Sequence, residues 1–358
     1  MTKRYILFLT LGFAAVSMAG CEGVGNESNG EISEPYTLSV DKATIEANGT
    51  DAATFTITDA NGNVLTEGDY LKNTSFHIVE TNSYLDRKTN TFVSIDNGTY
   101  TVEGMYLGKP CEAPVTVKVV NRSKYEVFTK KIAIYRLTAT WCQYCPSMTA
   151  ALEKIDDYTK SRSVVMAFHG DENFGIVESG YFLSDYLLAQ FSGEGYPFAI
   201  YSLNYGSGNR TRNEIISYVW NELYEYPATS GIKATSTVNS GTVSVDASVK
   251  VSASGEYDLG CALVQNGLSG GADANEDVYN NVVRNISGNY RGMSTNAFSL
   301  DANQEKTSLK FENIKFDSAN QSDCSIVLFT LVKDGKTARI DNVVSFPVGG
   351  SVDYVYNE

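Results

Sequence analysis

Thr138-Ala139-Thr140-Trp141-Cys142-Gln143-Tyr144-Cys145-Pro146 is the stretch on which the fold turns. Two cysteines stand three apart, with a tryptophan before the first and a proline after the second. The run Lys131-Ile132-Ala133-Ile134-Tyr135 leads in with the β-branched and aromatic residues that favour a strand. Met148, Leu152, Ile155 and Tyr158 lead out at helical spacing. A thiol does redox work as its thiolate, and the unpaired N–H groups at a helix start favour that anion. Cys142 therefore reads as the attacking thiol, partly exposed just before the helix. Cys145 reads as the resolving thiol, one turn in and more buried. Half of a zinc site is a competing reading, but the chain has only 2 histidines and no second Cys-x-x-Cys. A purely structural disulfide is the third.

Outward from this stretch, Ser163-Val-Val-Met-Ala-Phe-His169 is the near-continuous apolar run of a strand buried on both faces. Tyr181 to Phe191 reads as a helix. Tyr196-Pro-Phe-Ala-Ile-Tyr201 reads as a strand entered through a proline. Arg212 to Tyr226 is an amphipathic helix with Ile215, Ile216, Val219, Trp220 and Leu223 inward. Alternating strands and helices over residues 131–227 predict an α/β domain. Residues 35–130 hold short alternating strands separated by turn signals, such as Thr54-Phe-Thr-Ile-Thr before Asp59-Ala-Asn-Gly-Asn, and predict an immunoglobulin-like β domain. Residues 228–350 return to strict alternation, as in Thr242-Val-Ser-Val-Asp-Ala-Ser-Val-Lys-Val, and predict a C-terminal β-sandwich. The expected fold class is multidomain, β plus α/β. A length of 358 residues fits two or three such domains.

The N-terminus sets the compartment. Lys3-Arg4 precedes an apolar core from Ile6 to Val16, of signal-peptide length and too short to span a bilayer. Ser17-Met18-Ala19-Gly20-Cys21 follows, and small residues before a cysteine resemble a bacterial lipobox, with Met18 where leucine is preferred. The expectation is a signal peptide over residues 1–20, a lipidated Cys21 that anchors the chain to a membrane, and a flexible polar tether over 21–34. The formal net charge is −14. With no cluster of Lys and Arg, nucleic acid is not expected as a partner.

Trp141-Cys142-Gln143-Tyr144-Cys145-Pro146 resembles the W-C-x-x-C active site of thioredoxin-like proteins. Gly195-Tyr196-Pro197 falls about where that family carries a cis-proline before a strand. The resemblance implies a substrate groove shaped by Trp141, Tyr196 and Pro197 opposite Cys142 and Cys145. Over residues 131–346 the chain resembles the Omp-twenty-eight-related outer-membrane lipoproteins of the Bacteroidota. These join a lipobox, a C-x-x-C-P thioredoxin-like domain and a C-terminal β domain, of which Val278-Tyr-Asn-Asn-Val-Val-Arg284 resembles a signature. The resemblance implies an outer-membrane or cell-surface location. One departure stands out: six residues before the first cysteine, thioredoxin has a buried acid, and here Arg136 stands there, either beside the thiolate or turned to solvent.

The remaining cysteines are Cys261 and Cys324, in strand-like stretches and expected to form a structural disulfide, and Cys111, expected to be buried as a small apolar group. His169, beside Gly170-Asp171-Glu172, reads as a structural histidine at a strand end. Two stretches of alternating oxygens were weighed for calcium: Asp59, Asn61 and Asn63 read better as a turn, and Asp273, Asn275, Glu276 and Asp277 lack the glycine and final glutamate of a calcium loop. No metal site and no cofactor is assigned. Two functions stay open: thiol–disulfide exchange on exported protein thiols and disulfides, or a non-catalytic binding or structural lipoprotein that uses the thioredoxin fold as a scaffold.

Overall fold

The structure, a computed structural model, describes residues 32–86, 88–120, 127–272, 274–335 and 337–357. The expected signal segment, Cys21 and the tether as far as residue 31 lie outside the described residues, as does Asp273.

A nine-stranded sheet forms the centre. In chain order its strands are β1 (Ile132–Thr138), β2 (Ser163–His169), β3 (Phe198–Tyr201), β4 (Tyr205–Ser207), β5 (Gly255–Gln265), β6 (Val282–Ile286), β7 (Phe298–Leu300), β8 (Cys324–Asp334) and β9 (Thr337–Pro347). In space they run β4-β3-β1-β2-β6-β5-β8-β9, with β7 beside β5. β1 and β2 pair in parallel from Ile132↔Ser163 to Thr138↔His169. Every residue of β1 is buried, as an apolar strand covered on both faces requires. Helices α1 (Cys145–Glu153), α2 (Asp157–Ser161), α3 (Leu183–Gln190) and α4 (Arg212–Glu225) complete this half. Met148 of α1 and Ile155 just after it, with Ile215, Val219 and Leu223 of α4, pack on Ile132, Ile134 and Tyr201. Leu183 and Leu187 of α3 pack on the opposite face, against Tyr135, Leu137 and Phe168. Thr211 caps α4 by accepting from the Glu214 N–H, a contact that satisfies one of the helix's orphan donors.

The central sheet does not end at residue 228. β6 continues it in parallel beside β2, at Ala167↔Val282, and pairs antiparallel with β5. The sheet curls until the Ile340 N–H in β9 donates to Ser202 O, just past β3, at 2.7 Å. One core fills the curl, joining Tyr135, Phe168 and Leu187 to Val264, Phe329 and Val343. A four-stranded sheet of Ser230–Asn239, Thr242–Val251, Glu305–Lys315 and Ser351–Val352 covers the outer face of β5 and β8. Because side chains alternate along a strand, Cys261 and Leu263 enter that outer core while Ala262 and Val264 enter the inner one. Asn342 locks the corner: its Oδ1 accepts from the Lys131 N–H at 3.0 Å, and its Nδ2 donates to Thr129 O at 3.1 Å and Ser230 O at 2.9 Å.

The expected Cys261–Cys324 disulfide is not formed. In the β5–β8 register Cys261 faces Leu328, and Cys324 faces Gln265. The two cysteines are thus offset by four positions along paired strands, about 13 Å at roughly 3.3 Å per residue, which is beyond the reach of a disulfide. Both stay as free, buried thiols, and burial pushes the Cys261 thiol up to about 12.

Residues 36–120 form a separate unit of a three-stranded and a six-stranded sheet around a core that includes Phe55, Ile57, Phe76 and Val102. Asp59 organises a turn there, its carboxylate accepting from the Asn61 and Asn63 N–H groups at 3.0 and 2.8 Å. Cys111 is free and half-buried against this core, and burial pushes its thiol up to about 11. The unit docks on the body through Asp96, which accepts from Arg162 at 2.8 Å and from the Tyr158 hydroxyl.

A buried ion pair fastens α4 to the entry of β1. Lys130 Nζ lies 3.3 Å from Glu222 Oε1, with side-chain exposures of 1% and 0%. Burial pulls the ammonium down to about 8 and pushes the Glu222 carboxyl up. Removing one partner strands the other's charge in the interior, which costs about 3–5 kcal/mol, whereas removing both is far milder. Lys130→Met is expected to lower stability by about that amount in urea unfolding, and Lys130→Met with Glu222→Leu to recover most of the loss.

Candidate redox site at the start of α1

β1 delivers the chain to the mouth of the sheet, and α1 carries it away. Cys142 and Cys145 lie in the turn between them and are joined by a disulfide with Cα atoms 5.4 Å apart. Two short contacts build the turn: the Cys142 N–H donates to Ala139 O at 3.1 Å, and the Cys145 N–H donates to Cys142 O at 3.2 Å. Cys145 is the first residue of α1, and no side chain caps that helix start. The cysteines therefore stand at the positive end of the α1 dipole, an environment that favours a thiolate once the pair is reduced.

Cys142 is more enclosed than its expected position before the helix implied. It is 4% exposed and Cys145 1%, because Tyr196 packs on both of them and on Ala139. The Tyr196–Pro197 peptide is cis, directly ahead of β3. The Tyr196 hydroxyl donates to Asp185 Oδ1 at 2.5 Å and lies within hydrogen-bond distance of Ser184 Oγ, at 2.8 Å, both on α3. Gly170 makes room for this ring: a Cβ there would sit 2.2 Å from the Tyr196 hydroxyl oxygen. Trp141 lies 6.0 Å from Tyr196, centroid to centroid, and is 62% exposed. Arg210 sits over the exposed Tyr144 ring at 5.1 Å. The structure thus gathers Trp141, Cys142, Cys145, Tyr196 and Pro197 in one place, as a disulfide at the base of an aromatic surface.

Residues that the sequence did not assign to the site hold it in shape. The Thr140 N–H donates to Asp171 Oδ2 at 2.8 Å. The Thr140 carbonyl accepts from the Asn275 N–H at 3.0 Å, from Asn275 Nδ2 at 3.3 Å and from the Tyr279 hydroxyl at 3.4 Å. Asp171 also accepts from His169 Nδ1 at 2.9 Å and from the Asn173 and Phe174 N–H groups. His169 is packed edge-on against Phe174 and Tyr279. It therefore serves as a structural link between β2 and the segment before β6.

Arg136 points neither to solvent nor into the open. Its Nη2 pairs with Glu276 Oε1 at 2.8 Å, with side-chain exposures of 6% and 12%. Burial pulls the guanidinium down, and the Glu276 charge pushes it back up. The Thr149 hydroxyl stands between two acceptors, the same Glu276 oxygen at 3.0 Å and Cys145 O at 3.3 Å, and its one proton can serve either. An acid therefore does stand behind the cysteines, but it comes from the loop before β6 instead of from β1. The only hint in the sequence is the run of polar oxygens around Glu276, which does not match a calcium loop. Among the described residues no group of three or more His, Cys, Asp or Glu is arranged to hold a metal ion.

HBP35 of Porphyromonas gingivalis is similar in structure over 62% of this chain and 76% of its own, at 17% sequence identity and a TM-score of 0.51. At that identity the likeness concerns the fold alone. A protein of Agrobacterium tumefaciens matches 63% of this chain and 97% of its own, at 16% identity and a TM-score of 0.39. InvD of Yersinia pseudotuberculosis matches 88% of this chain and 98% of its own, at 10% identity and a TM-score of 0.19. Scores that low carry no weight here. No family model and no curated protein matches the chain.

The Asp171 clamp gives the site a pH dependence. Burial pushes this carboxyl up, but hydrogen bonds from His169, Thr140 and Phe174 outweigh it and hold the group below its usual range. A depressed carboxyl stabilises the fold above its unfolded pKa and loses that contribution as pH falls through about 4 and below. Asp171→Asn is expected to cost about 1–3 kcal/mol at pH 7 and to flatten the loss of stability seen in wild type between about pH 5 and pH 3. Urea midpoints across that range test both statements.

Proposed function

We propose that this is an exported, thioredoxin-like lipoprotein whose Cys142–Cys145 pair exchanges disulfides with protein thiols. The observation that carries the reading is the disulfide itself. It closes at the uncapped start of α1, beneath Tyr196 and a cis Pro197, with Trp141 and Tyr144 exposed beside it. In the oxidised form, a substrate thiolate attacks Cys142 Sγ, breaks the Cys142–Cys145 bond and expels Cys145 as a thiolate at the helix start. A second substrate thiolate attacks the mixed disulfide and releases Cys142. Two electrons pass from the substrate dithiol, which leaves as a disulfide, to the pair, and the two protons that the substrate thiols lose on ionising are taken up by Cys145 and Cys142. Trp141 and Tyr196 flank the attacked sulfur and shape the groove, and Pro197 sets the backbone beside it. The unit at residues 36–120 is read as immunoglobulin-like and the sheet pair after residue 228 as a β-sandwich.

The low exposure of both sulfurs favours a second reading, in which the pair is a structural staple and the fold a scaffold. Reduction potential and turnover separate the two. Exchange requires a potential in the range of known oxidoreductases, about −120 to −270 mV, while structural disulfides lie below about −300 mV. Turnover with a dithiol peptide is expected, with Cys142→Ser lowering it about a hundredfold or more, as loss of a nucleophile does. A potential below about −300 mV without turnover leaves only the staple.

We further propose an outer-membrane or surface location through Cys21, which the lipobox resemblance and the apolar segment ahead of it support. Labelled palmitate is expected to enter the wild-type chain and not Cys21→Ala; equal incorporation contradicts the anchor.

A further inference from the structure

A second cleft lies away from the cysteines, between the unit at residues 36–120 and α4. Its volume is about 930 Å3, within the range of small-ligand sites. α4 lines it with two rows at i, i+4 spacing: Ile216, Trp220 and Tyr224 form an apolar row, and Asn213, Ser217 and Asn221 a neutral polar one. Trp220 is fixed between Tyr158 and Tyr224, each 5.1 Å away between ring centroids.

Tyr84 stands on the opposite wall, and it is 60% exposed. One face of its ring rests on His77, centroids 4.8 Å apart. His77 is itself held at both nitrogens, by Glu103 at 3.0 Å and Asn82 at 3.2 Å. Among the described residues the one ring against Tyr84 is His77, so the cleft wall carries an aromatic ring that is backed on one side and otherwise exposed. Asp86 and Thr89 stand beside it on the same wall.

The chemistry of these walls selects a ligand. An aromatic face carries partial negative charge and attracts the C–H face of a sugar ring. Amide, hydroxyl and carboxylate groups then pair with the ring's hydroxyls. Among the described residues the lining cation is Arg212, which donates to Lys154 O at 2.6 Å and lies 3.9 Å from Asp156 Oδ2. An extended peptide needs a strand edge, and the edge strand on this wall is only Ser83–Tyr84, too short to seat another strand. We propose that this cleft binds a neutral pyranose oligosaccharide, with its ring stacked on Tyr84 and its hydroxyls on Asn213, Ser217 and Asn221.

The site has its own reporter, because the chain contains only 2 tryptophans, Trp141 and Trp220. In full-length, lipid-free Trp141→Phe protein, Trp220 emission is followed as cellohexaose, maltohexaose or tetra-N-acetylchitotetraose is added, with isothermal titration of the wild type beside it. At least one sugar is expected to shift the emission and to bind with Kd below about 10 mM. Tyr84→Ala and Asn221→Ala, both with unchanged circular dichroism, are each expected to weaken that sugar about tenfold or more. The proposal is overturned if no sugar of the panel binds the wild type, or if Tyr84→Ala binds as tightly as the wild type. Neither outcome bears on the cysteines, since Tyr84 and Asn221 lie away from the disulfide.

Discussion

Thr140 is held by both of its backbone polar groups, and the cysteine turn depends on it. Its N–H is fixed by Asp171, just past the end of β2, and its carbonyl by Asn275 and Tyr279 from the segment before β6. Trp141 and Cys142 follow immediately. With both backbone polar groups of a buried residue satisfied, the chain can leave β1 and still place Cys142 over the first turn of α1. Were either partner lost, a buried donor or acceptor would be left without a bond, which costs more than the bond itself contributes. The turn therefore has a defined shape whether or not the sulfurs are joined.

This constraint explains why the body after residue 228 is fused to the α/β half. The loop that clamps Thr140 also brings Glu276 to Arg136 and Thr149, and the next strand, β6, pairs beside β2. Strands on both sides of residue 228 then share the core around Tyr135, Phe168 and Phe329. Asn342 and the Ile340–Ser202 contact close the curl. The cysteine turn is thus supported by two stretches distant in sequence, and a change in either is felt at the same disulfide.

What was legible in the sequence was local. The apolar run of β1, the Cys-x-x-Cys and the helical period after it lie within about two dozen residues, and short-range spacing carries such information. Tyr196-Pro197 could be added because a proline before a strand is a local signal as well. What escaped was long-range pairing. Asn275 and Tyr279 reach Thr140 across 135 and 139 positions, and no periodicity records that. The same gap misled the reading of Cys261 and Cys324: two buried cysteines on adjacent strands invite a bond, but the register sets them four places apart. Arg136 is instructive too. A cation where an acid is customary reads as a loss, until the partner carboxylate arrives from Glu276.

Amide hydrogen exchange at Thr140 tests the clamp most directly. If Asp171 and the segment 275–279 hold this residue as described, its N–H exchanges only through global unfolding, as slowly as the amides of β1, in both the oxidised and the reduced protein. Exchange of Thr140 through a local opening, while β1 stays protected, would contradict the account and leave the cysteine turn a free loop.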